Sequence, residues 1–264
     1  MTPADDHAAA QAPAYRSRWR RFSPSMGWKA FWSEIVIVVL GVAIALAANE
    51  AVQTWSWNSK VRDGEARLRS DVAWAFLWAA EQYVTKPCVQ AQLEGLTRTL
   101  MESGTTLTPV PVHSDTTNAR YVVRAPYRPY RFPVWEGLVA NGTAPHFSQQ
   151  RQDAYGNLND GIALSRLVKD ETHRLMGRLM AMAYPTALDA GVRREFLVDL
   201  EALRHRNAAD SLVAWQRMVS IVEFGSAPNA EAVEAFLKRS GTVMFCKERG
   251  LPLADWRDVQ KRQE

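Results

Sequence analysis

Polar and apolar positions along the chain follow three patterns. Residues 35–48 (IVIVVLGVAIALAA) carry no polar side chain. Further on, apolar residues return every three or four positions, the spacing of one helix face. Leu68, Val72, Phe76, Ala79 and Tyr83 form such a stripe, widened by Trp74, Leu77 and Trp78, and predict a helix over 58–86. Lys86-Pro87 predicts its end, because proline lacks the N–H the next turn needs. Val89, Leu93, Leu96 and Leu100 make a second stripe, stopped by Gly104. Leu158, Ile162, Leu164, Val168, Leu175, Leu179 and Met182 predict a long helix over 150–184, closed by Pro185. Another covers 189–223, through Phe196, Leu200, Leu203, Leu212, Trp215, Val219 and Val222, and ends at Gly225. Pro228-Asn229 opens a shorter helix through Val233, Phe236 and Leu237 towards Cys246, with Gly241 as a break.

The third pattern is irregular. Residues 105–134 begin rich in Thr, Pro and Ser and end in RYVVRAPYRPYRFP, where Pro126, Pro129 and Pro133 exclude a regular helix and favour extended or polyproline geometry. A short helix at Trp135 follows, and Asn141-Gly142 turns the chain. No alternating run exceeds a few residues, so little sheet is expected. The fold class is all-α: one N-terminal transmembrane helix, then an antiparallel helical bundle carrying a Pro/Arg/Tyr-rich loop.

The apolar run alone spans about 21 Å as a helix, short of a hydrocarbon core of roughly 30 Å. Trp28, Phe31 and Trp32 precede it and Trp55 and Trp57 follow. From Trp28 to Trp55 a helix covers about 40 Å, the separation of the two interfaces where indoles prefer to sit. This bracketing makes residues 30–54 an uncleaved transmembrane helix, with Trp28, Trp32, Trp55 and Trp57 at the interfaces. The alternatives are an export signal cleaved at Ala45-Leu46-Ala47 and a buried soluble helix; a pre-apolar segment of about 34 residues is long for a signal peptide. Arg16, Arg18, Arg20, Arg21 and Lys29 lie ahead of the run, whereas Lys60, Arg62, Arg67 and Arg69 alternate with acids beyond it. By the positive-inside bias, residues 1–29 are a cytoplasmic basic tail, disordered in its first part, and residues 55–264 lie outside.

The segment Phe31-Trp32-Ser33-Glu34-Ile35 through Leu40-Gly41, then Ala43-Ile44-Ala45-Leu46 and Asn49-Glu50, resembles the signature of an uncharacterised bacterial family of single-pass inner-membrane proteins. WEGLVANG at 135–142 is similar to a short Trp-containing helix that such proteins carry. The chain departs from the family's pattern by placing Ala51-Val52-Gln53-Thr54 before Trp55. The resemblance implies topology, with the C-terminal domain periplasmic, and no chemistry.

Cys88 and Cys246 are the only cysteines. In an exported domain a lone pair reads as one disulfide, here closing a long loop; two unpaired thiols or an intermolecular link are the alternatives. The formal charge of +4 and pI near 9.2 raise nucleic acid as a partner, but no basic stripe or known motif supports it.

Chemistry is thinly marked. GxSxG, SxxK, HExxH and Gly-rich phosphate loops are all missing from the sequence. His173, Met176, Met180 and Met182 sit at helical spacing suited to copper, but methionine more often fills a core. His113, His146 and His205 have no metal-ligand spacing and are assigned to surface or turns. Asp170-Glu171 and Asp199-Glu201 diverge on a helix and read as solvated faces. Neither cofactor nor metal is expected. The best site candidate is the loop: Arg120, Arg124, Arg128 and Arg131 offer forked donors for carboxylate or phosphate, with Tyr127 and Tyr130 as flat faces. Its alternative is a loop packed over the bundle, tyrosines buried and arginines reaching to solvent. The partners expected are the lipid bilayer and another envelope protein or cell-wall polymer. The small face of Gly41, Ala45 and Ala48 also admits homodimerisation. A non-catalytic interaction or scaffold role is the reading, against a small-ligand sensor relaying through a partner or an enzyme of unrecognised type.

Overall fold

The computed structural model describes residues 27–114 and 118–261. The basic tail with Arg16, Arg18, Arg20 and Arg21 lies outside them. The chain divides into two units, up to Trp55 and from Ser56 onward. In the first, α1 (Trp28–Glu102, 75 residues) begins, and its apolar stretch buries nothing: Val36, Ile37, Val38, Val39, Leu40, Ile44 and Leu46 are all more than half exposed. By length and composition this stretch is able to cross a membrane, and none of its most apolar window is buried.

In the second unit α1 continues, and here the expected break is corrected. Pro87 sits inside one unbroken helix. It cannot donate to the Tyr83 carbonyl, yet both flanks are held from outside. The Val84 carbonyl accepts from Ala254 N at 2.9 Å, and the Lys86 carbonyl accepts from Asn207 Nδ2 at 3.0 Å. Val84, Cys88 and Val89 are buried on either side of the proline. Tertiary packing therefore overrides the local stop signal, and the two apolar stripes join.

The chain then runs through a two-stranded antiparallel hairpin, β1 (His113–Ser114) and β2 (Arg120–Tyr121), in which His113 faces Tyr121. Next come α2 (Pro133–Ala140) and α3 (Gln149–Leu179), which tightens into a 3-10 turn at Met180–Ala183. The remaining helices are α4 (Ala190–Glu223), α5 (Ala230–Arg239), α6 (Gly241–Glu248) and α7 (Asp258–Lys261). Side-chain caps start three of them: Asp189 accepts from Val192 N, Asn229 from Ala232 N and Ser240 from Val243 N. The Gly241 break is real, with Ser240 ending α5 and capping α6. The all-α class holds.

Cross-helix pairs give the directions. Arg178–Asp199, Lys169–Asp210 and Arg217–Gly161 link α3 and α4 with one index rising as the other falls, so these helices are antiparallel. Glu65–Arg151 and Gln82–Lys169 rise together, so α1 and α3 run parallel. The bundle is thus not wholly antiparallel as expected, because the irregular crossover of residues 103–148 carries the chain back before α3 begins. Gly64 allows that crossover to close on α1: a Cβ there would stand 3.0 Å from Leu138 Cδ2 and 3.4 Å from Phe147 Cζ. One core cluster centres on Phe76, Phe132 and Met218, a second on Leu93, Leu179 and Leu200. Leu164 and Leu212, expected inside, are more than half exposed.

Candidate anion-binding groove

The structure divides the arginine-rich loop. Arg128 turns inward to Glu81 of α1, with Nε 2.6 Å from Oε2 and a terminal nitrogen 2.8 Å from Oε1. Glu81 is fully buried, and Ser240 Oγ donates to the same carboxylate. Such a forked pair satisfies a charge that would be costly alone in the interior, and it raises the Arg128 pKa through the hydrogen bond to Glu81. Tyr130 is buried, edge-on to Trp78 at 5.8 Å, and its phenol pKa is pushed well up by burial. Arg120, Tyr127 and Arg131 stay exposed, and Tyr127 lies 5.3 Å from the ring of His173. The six residues thus do not form one continuous surface strip.

Beside Tyr130 lies a buried polar network absent from the sequence reading. Lys169 Nζ pairs with Asp210 at 3.0 Å and donates to Gln82 Oε1 at 2.7 Å. Arg217 donates to the Gly161 carbonyl at 2.9 Å and to Ser165 Oγ at 2.6 Å, and burial lowers its pKa. Two cavities that reach Lys169 and Asp210 hold about 10 Å³ each, the volume of a single water at most, and a third of about 210 Å³ touches the network at Arg217 and Gly161. Acid and base meet here as the closed Lys169–Asp210 pair, beside the two small cavities. Met176 and Met180 pack against the second core cluster, as hydrophobic filling.

A wider concavity is elsewhere. A groove of about 620 Å³ lies between the hairpin and α6, with Arg124, Arg249, His113, Tyr121, Phe245 and Met244 among its walls. Arg249 stands 4.7 Å over the Phe245 ring and donates to His113 Nδ1 at 3.1 Å. Arg124 stands 4.8 Å over Tyr121. The His113 ring lies 5.2 Å from Phe245 and 6.0 Å from Tyr121. Burial, then the Arg249 charge, lowers the His113 pKa below 6.5. A further concavity shares Val112, His113 and Ser114 and carries Arg120. Glu248 is the acid on the rim.

Both walls are pinned to one stretch of α1. Cys88 and Cys246 are bonded, S–S 2.02 Å, with a sequence separation of 158, which ties α6 down. One turn on, Gln92 holds the opposite wall through its amide: Nε2 donates to the Arg124 carbonyl at 3.0 Å and Oε1 accepts from Arg124 N at 2.7 Å. Gln92, His113 and Arg249 were missed by sequence reasoning, because each belongs to a different segment and only the fold assembles them. Glu81 did leave a signal, a carboxylate four residues after Leu77 on the buried stripe.

The four tryptophans expected at membrane interfaces also differ in their surroundings. Trp28, Trp32 and Trp55 are exposed at 66%, 57% and 70%, whereas Trp57 is half-buried, stacked on His146 at 3.9 Å with Lys60 Nζ 4.0 Å above it. Compared with protein-family models, curated proteins and solved structures, the chain matches none.

Proposed function

We propose that this is a single-pass protein of the bacterial inner membrane, N-terminus cytoplasmic and helical domain periplasmic, with a non-catalytic interaction or scaffold role. We include in this reading membership of the uncharacterised bacterial family that residues 28–57 resemble. The observation that carries it is α1 itself: an apolar stretch with nothing buried continues as the central helix of a packed domain. An apolar surface of this length is stable in lipid and costly in water. The buried Lys169–Asp210 pair borders cavities of about 10 Å³, which supports a recognition surface over a reaction site at that pair. Partners are the bilayer and an envelope protein or cell-wall polymer met through the exposed face of the domain.

Fractionation of expressing bacteria tests the reading. The full-mass chain is expected in membranes after an alkaline wash, and crosslinking from those membranes is expected to retain a partner on the domain. Recovery of the full-mass chain in the soluble fraction contradicts it.

A further inference from the structure

We infer that the groove between β1–β2 and α6 is a binding site for an oxyanion, carboxylate or phosphate, carried on a flat aromatic body. This deepens the interaction reading, and rests on it, by naming the chemistry a partner presents. Three features of the groove converge on that ligand. The described part of its lining is net positive: among the described residues neither Arg120 nor Arg249 is ion-paired to a carboxylate, and Glu248 is the one acid described on the wall. It has donors to spare: Arg249 gives one hydrogen bond to His113 Nδ1, which places the ring proton on Nε2, so the groove wall carries that ring N–H and the remaining guanidinium N–H groups. Its faces are flat and apolar: Tyr121 and Met244, the latter 46% exposed, flank the arginines. A guanidinium stacked on a ring keeps its edge for an anion and its open face for a second aromatic group.

The site is also held in advance of any ligand. The disulfide fixes the α6 wall at Cys88, and Gln92, four residues along the same helix, fixes the hairpin wall. A volume of about 620 Å³ falls in the range of ordinary small-ligand pockets. Preorganisation of this kind lowers the cost of binding, since few groups need to be ordered when the ligand arrives.

Calorimetric titration of the purified full chain in detergent provides the test. The probes are phenyl phosphate and benzoate, with inorganic phosphate and benzyl alcohol in parallel arms. Saturable one-to-one binding of phenyl phosphate or benzoate is expected, and whichever binds identifies the oxyanion. Inorganic phosphate should bind about tenfold more weakly and benzyl alcohol not at all. Arg249→Gln should weaken the aryl anion about tenfold, the loss of one charged hydrogen-bonding partner. Arg131→Gln, exposed and outside the groove, should leave it unchanged, and circular dichroism confirms that each variant is folded. Absence of saturable heat with both aryl anions overturns the site. So does a folded Arg249→Gln protein that binds as well as the parent. Equal affinity for inorganic phosphate overturns the aromatic part of the assignment. None of these outcomes alters where the chain fractionates, so a failed groove and a failed anchor are distinguishable.

Discussion

Glu81 shows how one residue organises a region. Its carboxylate is wholly buried on α1 and is neutralised by Arg128, 47 residues away in sequence but adjacent in space, with Ser240 adding a third contact. Removing the cation strands the anion in the interior. Arg128→Met is expected to cost about 2–4 kcal/mol, towards the lower part of the range for broken buried pairs because Arg128 keeps partial access to solvent. Glu81→Gln combined with Arg128→Met should recover part of that loss. Urea unfolding of the detergent-solubilised chain reads both.

His113 gives a second prediction at this scale. Among the described residues, Glu248 of α6, Arg249 just past its end, Arg120 and Tyr121 of β2, and Arg124 stand around it. Burial first, and Arg249 second, hold its pKa below 6.5, so the native state favours the neutral ring. The unfolded chain takes up the proton first as pH drops. The stabilisation is therefore full above pH 6.5 and is lost as pH falls through the native midpoint. Arg249→Gln removes the second cause, and an NMR titration of the His113 ring should show its midpoint move up. Neither Glu81 nor His113 was assigned to a site from sequence. A single polar residue on an apolar stripe hints at burial, but its partner lies in another segment, and spacing cannot supply it.

At the scale of elements, the periodic stripes, the start at Pro228-Asn229 and the stop at Gly225 were legible because each depends on neighbours three or four residues away. Pro87 was misread because its consequence is decided by Ala254 and Asn207, far along the chain. The parallel relation of α1 and α3 was missed for the same reason: an irregular crossover has no period from which a direction follows. Gly64 tests how closely that crossover packs. Gly64→Leu drives a side chain into Leu138 and Phe147 and should destabilise the domain by about 1–3 kcal/mol, despite leucine's better helix propensity. The thermal midpoint should fall accordingly. The disulfide is the covalent tie between α1 and α6, and both sulfurs are fully buried. Replacing Cys88 and Cys246 by alanine reopens a loop of 158 residues in the unfolded state and should cost about 2–5 kcal/mol. Non-reducing and reducing gels of the parent, followed by unfolding of the variant, check it.

For the molecule as a whole, the physical claim is that α1 does two jobs along one axis of sequence. Its first part is apolar on every face, which suits lipid, and its later part is apolar on one stripe, which suits a protein core. That change of pattern was readable from residues alone, as were the class of fold and the pairing expected of two cysteines. The arginine loop was readable only as composition. Four similar arginines diverge, Arg128 paired with a buried carboxylate while Arg120 and Arg131 stay exposed, because what Arg128 and Arg124 meet comes from α1, α5 and α6 rather than from the pattern of the loop.

The central claim is that the apolar part of α1 rests in the bilayer with the helical domain on the far side. A reporter enzyme that works only outside the cytoplasm, fused after Glu264 and expressed in bacteria, tests it most directly. Activity in intact cells, on a fusion of full uncleaved mass, is the predicted result. A silent fusion of the same mass, with a cytoplasm-specific reporter active in its place, would contradict it.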